Sequence, residues 1–485
     1  MKIKALLRNM QVKVHGSKEI SITGLSSDSK TVCPGNLFFA RKGTLHDGSQ
    51  FIPQALRGGA VALVTDLYDP SCKATQVIVD RPEILEAEIA ARYFGAPSKE
   101  LFVAAVTGSK GKTTTSYLIW HLLHVLEGRG GLASTVETKI GSESRESAFT
   151  THFPIQNQKL LREMVTKGCG FASMEVSSHG LAQGRIDSID FDVGVWTNFF
   201  PDHLDYHKTI ENSRTAKARL FDLLLQSKKK KKLALVNQGG PFIFQPQNSC
   251  ISIWTFGLDA SADIAASAIE ETEDALLFDV CFRGEKTRCK LPQIGAYNVL
   301  NALGAIGVAL FRGHDLTAIA EAMMQFEGVP GRMQRIDNDR GILVFVDYAH
   351  TGDALQKALQ AVRKSAKKKV ICVFGCGGER DPNRREAMGK ASELGADFSI
   401  ITSDNPRGED PLAIIQQIAS VFQEPKRFAI IADRKEAIWR AIGLAEEGDV
   451  VLIAGKGHEK VQKIGSQSIA FCDASEAMRA LKEGQ

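Results

Sequence analysis

The sequence predicts an α/β protein of three domains: a small α/β N-terminal domain, a central P-loop ATPase parallel sheet and a C-terminal Rossmann-like parallel sheet. Three observations carry this. Continuously apolar runs such as LFVAAVT at 101–107 and VVLIAG at 450–455 read as parallel strands buried on both faces. Such runs alternate with helical stretches, the pattern of a parallel sheet covered on both sides. The chain has 485 residues, enough for three domains at roughly 150 residues each.

Composition fits a chain that buries several cores. Hydrophobic residues make up 44% and charged residues 24%, with 43 Gly and 15 Pro, which excludes a disordered or collagenous protein. Sixty basic against 56 acidic side chains leave a formal charge of +4, too balanced to advertise a nucleic-acid partner. The nine cysteines, at 33, 72, 169, 250, 281, 289, 372, 376 and 472, form no CxxC pair and no disulfide framework. A reducing, cytoplasmic setting is expected, with Cys372 and Cys376 acting as small buried hydrophobes. The start, MKIKALLRNMQVKVHG, lacks the apolar core of a signal peptide, and no window approaches 18 uncharged apolar residues. No stable membrane insertion is expected.

Residues 1–98 form the first predicted domain. Short runs such as NLFFA and AVALVTD are separated by glycines, and a helix follows around 82–94. FGAPSKE at 94–100 combines Gly, Pro and Ser just before a new strand, which marks a boundary. The second domain, 99–329, opens with LFVAAVT and a helix over TTSYLIWHLLHVLE that ends before Gly128. FASMEV, DVGVWTN, KLALVN and SIWTF are its further strands. The lysine run 228–232 reads as a solvated helix end. The third domain, 330–485, begins near GVPGRM. Strands GILVFVD, KVICVFG, DFSIITS, FAII and VVLIAG alternate with helices to 364, from about 384, after Pro411 and through 434–446. Gly328 and Gly331 are candidate hinges between these domains.

The sharpest local signal is VTGSKGKTTT, between a strand and a helix. Gly108 and Gly111 can take backbone angles closed to other residues and let N–H groups approach a phosphate. The following helix points its positive end at the same place. Lys112 would reach the β- and γ-phosphates, and Thr113 would offer its hydroxyl to Mg²⁺. The segment is G-x-x-G-K-T, shorter than the usual phosphate loop. By itself it indicates a nucleoside triphosphate with magnesium and no particular reaction.

Two polar segments end the next strands. MEVSSHG at 174–180 places Glu175 and His179 where strand ends face a ligand crevice, and a carboxylate there suits Mg²⁺ beside Thr113. TNFFPDHLDYH at 197–207 adds Asn198, Asp202, His203, Asp205 and His207. The spacing is not H-E-x-x-H and no cysteine joins it, which argues against zinc. Asp205 is the first candidate for a solvated acid.

Ten motifs in order, VTG-x-x-GKTTT, MEVSSHGL, TN-x-x-x-DHLDYH, TAKARLF, YNVLNALGA, EGVPGRMQ, DYAHTGDAL, FGCGGERD, SDNPRGEDP and GKGHE, resemble the Mur ligases of cell-wall synthesis. The likeness spans essentially the whole chain. It is closest to the members that add the third amino acid to UDP-N-acetylmuramoyl-L-Ala-D-Glu. The resemblance implies a UDP-sugar-binding domain at 1–98, an ATP-binding domain at 99–329 and an amino-acid-binding domain at 330–485.

The resemblance also implies roles residue by residue. Gly108, Ser109, Lys110, Gly111, Lys112, Thr113 and Thr114 would hold the ATP phosphates. Thr113 and Glu175 would be ligands of one Mg²⁺ and His203 of a second, with Lys217 as its carbamate stabilising Mg²⁺ and Asn198 in the same loop. Lys112, Lys217 and His203 would be the catalytic set. Carbamoylation turns a cation into an anion, and an anion stabilises Mg²⁺ where an ammonium would repel it. Asn298 and Asn301 would lie at the adenine, Arg332 at the nucleotide, and Asp347 and His350 near ribose and phosphate. For the nucleotide-sugar, Ser29, Thr150, Thr151, Ser177, Gln183 and Arg185 match the family's contacts. Asp404, Asn405, Pro406 and Arg407 form the DNPR tetrapeptide that accompanies meso-diaminopimelate. The Arg407 guanidinium can grip the extra carboxylate that distinguishes diaminopimelate from lysine. Arg380, Gly455 and Glu459 would hold the amino acid's other end. Lys30, Lys110, His152, Gly352 and the RRE at 384–386 depart from the family pattern without removing a ligand.

The implied reaction is ATP-dependent amide formation through an acyl phosphate, with ATP and Mg²⁺ as cofactors; a monomer is expected, and the sequence names no oligomeric partner. Three other readings compete. An L-lysine-adding sibling differs at DNPR. A folylpolyglutamate synthetase would lack the first 98 residues. A P-loop regulatory binding protein would have no use for the polar strand ends.

Overall fold

Short β-rich runs in the first 98 residues assemble because each alternates with a helix or turn that returns the chain to the same sheet edge. In the computed structural model, which describes residues 1–43, 47–240 and 251–483, this gives a five-stranded sheet. Cys250 lies outside the described residues. The strand order is Lys13–His15, Thr75–Ile78, Ala62–Thr65, Asn36–Phe39 and Gly24–Ser26, with only the first antiparallel to its neighbour. The helix Pro82–Tyr93 buries Leu85, Ile89 and Ala90 against Leu37, Phe39, Val64 and Val77 of the sheet.

Contacts divide the chain into two units, residues 1–255 with 307–313, and residues 256–306 with 314–485. The first unit contains this sheet and a second, built around Phe102–Thr107, every residue of which is buried. Parallel strands run in the order Leu233–Asn237, Val193–Trp196, Phe102–Thr107, Phe171–Glu175 and Gly130–Ala133. Glu137–Ile140 and Glu143–Glu146 extend the sheet antiparallel beyond the last of these. The predicted helix after the phosphate loop runs Lys112–Glu127 and stops at Gly128, whose φ of 94° favours glycine.

The lysine run is not merely solvated. Lys229 pairs with Asp192 at 2.8 Å, and buried Lys232 donates to the carbonyls of Leu225 (2.9 Å) and Ser227 (3.1 Å) at the end of the helix Ile210–Gln226. Those carbonyls have no partner within the helix, so a buried ammonium there is compensated.

The second unit holds an antiparallel group, Ile264–Glu271, Leu276–Phe282 and Glu285–Leu291, that the sequence reading did not anticipate. Its third-domain sheet runs Gln334–Ile336, Leu343–Asp347, Val450–Ala454, Val370–Phe374, Phe398–Ile401 and Phe428–Ile430, parallel except for the first strand. Alternate residues feed two cores. Cys372, Phe374 and Leu452 join one, and Ile371, Val373, Val451 and Ile453 join the other, as the two-residue period of a strand requires. Burial pushes the thiols of Cys372 and Cys376 up to about 12, so both behave as small apolar groups. No helix among the described residues is long and apolar enough to cross a membrane.

Candidate active site

Register brings three loops of the first unit to one sheet edge. Val106 lies opposite Glu175, and Thr107 opposite Trp196, so segments starting at 108, 176 and 197 leave the carboxyl ends of adjacent parallel strands. Gly108 has φ 143°, and a Cβ there would lie 2.0 Å from Thr197 Oγ1. Only glycine fits this approach.

The phosphate loop is tied to the segment 197–200. The Ser109 N–H donates to Asn198 O (3.0 Å) and the Lys110 N–H to Asn198 Oδ1 (2.8 Å). Asn198 Nδ2 and Thr197 Oγ1 both donate to Lys110 O, at 3.0 and 2.7 Å. Asn198 thus holds the loop's shape. Lys112 Nζ donates to the carbonyls of Gly108 (2.9 Å) and Ser109 (3.1 Å). The side chain of Lys110 is exposed.

Thr113 Oγ1 donates toward Glu175, 3.1 Å from each carboxylate oxygen. Glu175 is 3% exposed and takes two further bonds, from the N–H and the Oγ1 of Thr135, both at 2.9 Å. The sequence reading missed Thr135. Its strand, Gly130–Ala133, is four residues long and begins with two glycines, and only the pairing of Met174 with Ala133 reveals that Thr135 follows the same sheet edge.

Lys217 is 1% exposed, donates to Ser213 Oγ at 2.9 Å and lies 5.3 Å from the Phe199 ring. Burial, and then the charge of Lys112, bring its pKa down to about 8. His203 caps the helix Leu204–His207 with φ 54° and is 47% exposed, with Asp202 Oδ2 at 3.4 Å. Burial lowers its pKa against the pull of Asp202, and Lys112 and Lys217 lower it further. Lys112, Asp202, His203 and Lys217 are therefore electrostatic neighbours. His179 packs on His203 (4.8 Å between ring centres) and Tyr206 (4.2 Å), and burial holds its pKa at about 4. Asp205 is exposed.

Among the described residues no group of three or more His, Cys, Asp or Glu converges to hold a metal. The donors present, one buried carboxylate and a hydroxyl beside the phosphate loop, fit Mg²⁺, which takes few protein ligands and completes its shell with phosphate oxygens and water.

The residues assigned to the nucleotide-sugar adjoin this network. Thr135 Oγ1 and Thr150 Oγ1 lie 2.9 Å apart. Thr151 Oγ1 accepts the Ser177 N–H at 3.0 Å and donates to the Glu175 carbonyl at 3.2 Å. Arg185 Nη1 donates to Thr151 O (2.9 Å), and its Nε and Nη2 both reach Gln183 Oε1 (2.9 and 2.7 Å). Gln183 Nε2 in turn donates to the Tyr206 hydroxyl at 3.1 Å. Ser29 is not part of this group; from the short helical turn Ser29–Thr31 it donates to Gln54 Oε1, on the helix Ile52–Arg57, at 2.9 Å.

In the second unit the DNPR and GKGHE segments follow the carboxyl ends of the parallel strands Phe398–Ile401 and Val450–Ala454, whereas Asn298 and Asn301 lie on the helix Tyr297–Arg312. Asn405 Nδ2 donates to Glu459 Oε2 (2.7 Å), and fully buried Lys456 donates to Asn405 Oδ1 (3.0 Å), Glu459 Oε2 (2.9 Å) and Val461 O (2.7 Å). Lys456, not singled out from sequence, ties DNPR to GKGHE. Burial raises the pKa of Asp404, while Lys456 and its partners keep that of Glu459 low despite burial. Arg407 takes φ 51° and donates through Nη1 to Gly378 O at 2.6 Å. A Cβ on Gly378 would lie 2.0 Å from Pro406 O, and one on Gly455 2.7 Å from Asp404 Oδ2. Arg380 is exposed.

Arg332 stands 4.8 Å from the Tyr348 ring, and Asp347 Oδ2 accepts the Met333 N–H at 2.7 Å. His350 Nδ1 lies 2.8 Å from the Tyr348 carbonyl. Asn298 donates to Ile294 O (2.8 Å) and Asn301 to Asn298 Oδ1 (2.9 Å). Gly331 proves to be a packing glycine, because a Cβ there would lie 2.0 Å from the His458 nitrogen. Gly328 is less confined: a Cβ there would meet only the end of the Gln293 side chain, at 2.8 Å, although its φ of 90° favours glycine.

The chain matches three family descriptions in succession. Residues 21–93 match the Mur ligase family catalytic domain, 106–309 the Mur ligase middle domain, and 331–457 the Mur ligase glutamate ligase domain. The chain belongs to the Mur ligase family. It is 40% identical to the UDP-N-acetylmuramoyl-L-alanyl-D-glutamate--2,6-diaminopimelate ligase of Geobacillus thermodenitrificans, covering 100% of both chains. Identity to the enzyme so named in Chlamydia caviae is 39%, over 98% of each. A solved structure of a ligase of that name superposes with a TM-score of 0.72 at 30% identity, covering 100% of this chain and 99% of the other. A folylpolyglutamate synthase of Mycobacterium tuberculosis shares the fold at 15% identity, with a TM-score of 0.62 and 83% of this chain covered.

Proposed function

We propose that this protein is an ATP-dependent ligase that joins meso-2,6-diaminopimelate to the D-Glu γ-carboxylate of UDP-N-acetylmuramoyl-L-Ala-D-Glu, in the cytoplasm, for peptidoglycan precursor synthesis. The observation that carries the reading is the Thr113–Glu175–Thr135–Thr150 chain. It links the phosphate loop to the residues assigned to the muramoyl end through hydrogen bonds of 2.9–3.1 Å. A phosphate donor and a carboxylate acceptor bound on either side of that chain are close enough to react.

The residues divide the work. The N–H groups at the start of the helix Lys112–Glu127 and the Lys112 ammonium neutralise phosphate charge as the γ-phosphoryl moves to the carboxylate, while Asn198 holds the Ser109 and Lys110 N–H groups. Two Mg²⁺ ions, one held by Glu175 and Thr113 and a second by His203, with a carbamoylated Lys217 as an added anion, would supply Lewis-acid stabilisation of that charge. Lys217 suits carbamoylation because its burial favours the neutral amine, the form that adds carbon dioxide. Arg185 and Thr151 orient the muramoyl dipeptide. In the second unit Arg407 would take the distal carboxylate of diaminopimelate, and Asn405 and Glu459 its amino-acid head. The diaminopimelate amine attacks the acyl phosphate, the C–N bond forms, and phosphate leaves with the former carboxylate oxygen. The domain limits 1–98, 99–329 and 330–485 belong to the same proposal.

A substrate labelled with ¹⁸O in the γ-carboxylate tests this route. One label should appear in inorganic phosphate for each amide formed. Label retained wholly in the amide and solvent would overturn the acyl phosphate.

A further inference from the structure

Two guanidinium groups converge on one aromatic ring in the first unit. Arg185 lies 4.1 Å and Arg41 4.3 Å from the centre of Phe153. Arg185 belongs to the nucleotide-sugar group already described, whereas Arg41 follows the strand Asn36–Phe39 of the N-terminal sheet and matches none of the motifs. Its position is fixed. The Gly48 N–H donates to Arg41 O at 2.7 Å, and a Cβ on Gly48 would lie 2.3 Å from that oxygen. Its Nε stands 3.4 Å from Glu86 Oε2, with Arg41 23% and Glu86 0% exposed. The adjacent Lys42 pairs instead with Asp66.

Charge decides what this arrangement can hold. Glu86, whose pKa burial raises against the pull of Arg41, offsets at most one of the two arginines, and the Phe153 π face contributes a modest attraction to each. One positive charge remains uncompensated in a half-buried place, where like charges repel and each guanidinium still has donors to offer. Arg41 also lowers the pKa of Arg185, second to burial itself. Paired guanidiniums recognise phosphate by two-point hydrogen bonding.

We propose that Arg41 is a second anion-binding residue for the nucleotide-sugar and receives its diphosphate together with Arg185. The diphosphate, rather than a peptide carboxylate, follows from placement. Arg41 and Ser29 belong to the N-terminal sheet region and Arg185 to the muramoyl group, and the diphosphate is the part of the substrate that joins uridine to sugar. This rests on the proposed function and adds to it a residue for which the family resemblance supplies no match.

The test uses the full-length protein and three variants, Arg41→Met, Arg41→Lys and Arg41→Met/Glu86→Leu. The double variant leaves no buried carboxylate without a partner. Titration calorimetry with UDP-N-acetylmuramoyl-L-Ala-D-Glu alone, at low and high NaCl, gives Kd, and steady-state assays give KM for all three substrates. The expected result is a rise of about tenfold or more in Kd and in nucleotide-sugar KM for both methionine variants. Salt dependence should be flatter than in wild type, Arg41→Lys should recover part of the loss, and KM for ATP and diaminopimelate should stay within twofold. A double variant that melts like wild type and binds the nucleotide-sugar unchanged would overturn the proposal. So would equal losses for all three substrates, the mark of a structural role. Failure of wild type to bind the nucleotide-sugar would overturn the function reading, and this inference with it.

Discussion

Lys217→Met probes the proposed carbamate through its energetics as well as its chemistry. Burial, with Lys112 nearby, brings the Lys217 pKa from 10.5 to about 8. At pH 7.5 about a quarter of the amine is then neutral, against about one in a thousand for a solvated lysine. The form that attacks carbon dioxide is enriched roughly 200-fold. The same change costs the unmodified fold ~3 kcal/mol, because a charged ammonium is held where its neutral form is preferred. The unfolded chain binds this proton more tightly, so in carbon-dioxide-free buffer the cost is full below about pH 8 and fades as pH rises toward about 10.5. Lys217→Met should therefore unfold with up to ~3 kcal/mol more difficulty at pH 7, with the difference gone above about pH 10.5, while losing ligase activity. With ¹³C-bicarbonate, wild type should show a carbamate carbonyl resonance that the variant lacks. Full activity in carbon-dioxide-depleted buffer, with no such resonance, would refute the reasoning.

Three further outcomes are expected. Arg407→Ala should lower kcat/KM for diaminopimelate at least ~10-fold, about 1.4 kcal/mol, and leave KM for ATP nearly unchanged; equal kcat/KM in a substrate titration would contradict the assignment. Thr135→Val keeps the backbone donor to Glu175 but removes the hydroxyl. A magnesium titration should show a half-maximal concentration raised roughly tenfold, in line with ~1.5–3 kcal/mol for a hydrogen bond to a charged group. Arg434 and Asp473 form an ion pair 2.7 Å long with neither side chain exposed, and Arg434 also reaches Ala454 O at 2.9 Å. Arg434→Leu should destabilise the second unit by about 3–5 kcal/mol, read from Trp439 fluorescence in urea, and Arg434→Leu/Asp473→Leu should restore most of it.

The strands that bear the site were legible where apolar runs were continuous and flanked by glycine or helix. LFVAAVT, FASMEV and VVLIAG are such cases; Glu175 ends a strand of that kind, and Lys112 and Arg407 follow others. Strands lacking that signal stayed hidden. Gly130–Ala133 is half glycine, Glu143–Glu146 is polar and fully exposed, and Ile264–Leu291 alternates as antiparallel pairs do. Thr135 was lost with the first of these. Lys456 and Lys232 were lost for another reason. A lysine in sequence reads as surface, and only tertiary structure shows carbonyls and carboxylates converging on a buried ammonium. Gly331 looked like a hinge because glycine permits motion, whereas the close approach of His458 shows that it permits contact. Arg41 carried no motif at all, and its meaning depends on Phe153 and Arg185, more than a hundred residues away in sequence.

The central claim is the identity of the acceptor and the amino acid. Purified protein with UDP-N-acetylmuramoyl-L-Ala-D-Glu, ATP and Mg²⁺ is given meso-diaminopimelate, L-lysine or L-glutamate, and ADP release is followed with product mass. Stoichiometric ADP release with meso-diaminopimelate, and a product heavier by one diaminopimelate residue, is the predicted result. ADP release that ignores both the nucleotide-sugar and the amino acid, or that is fastest with L-lysine, would contradict it.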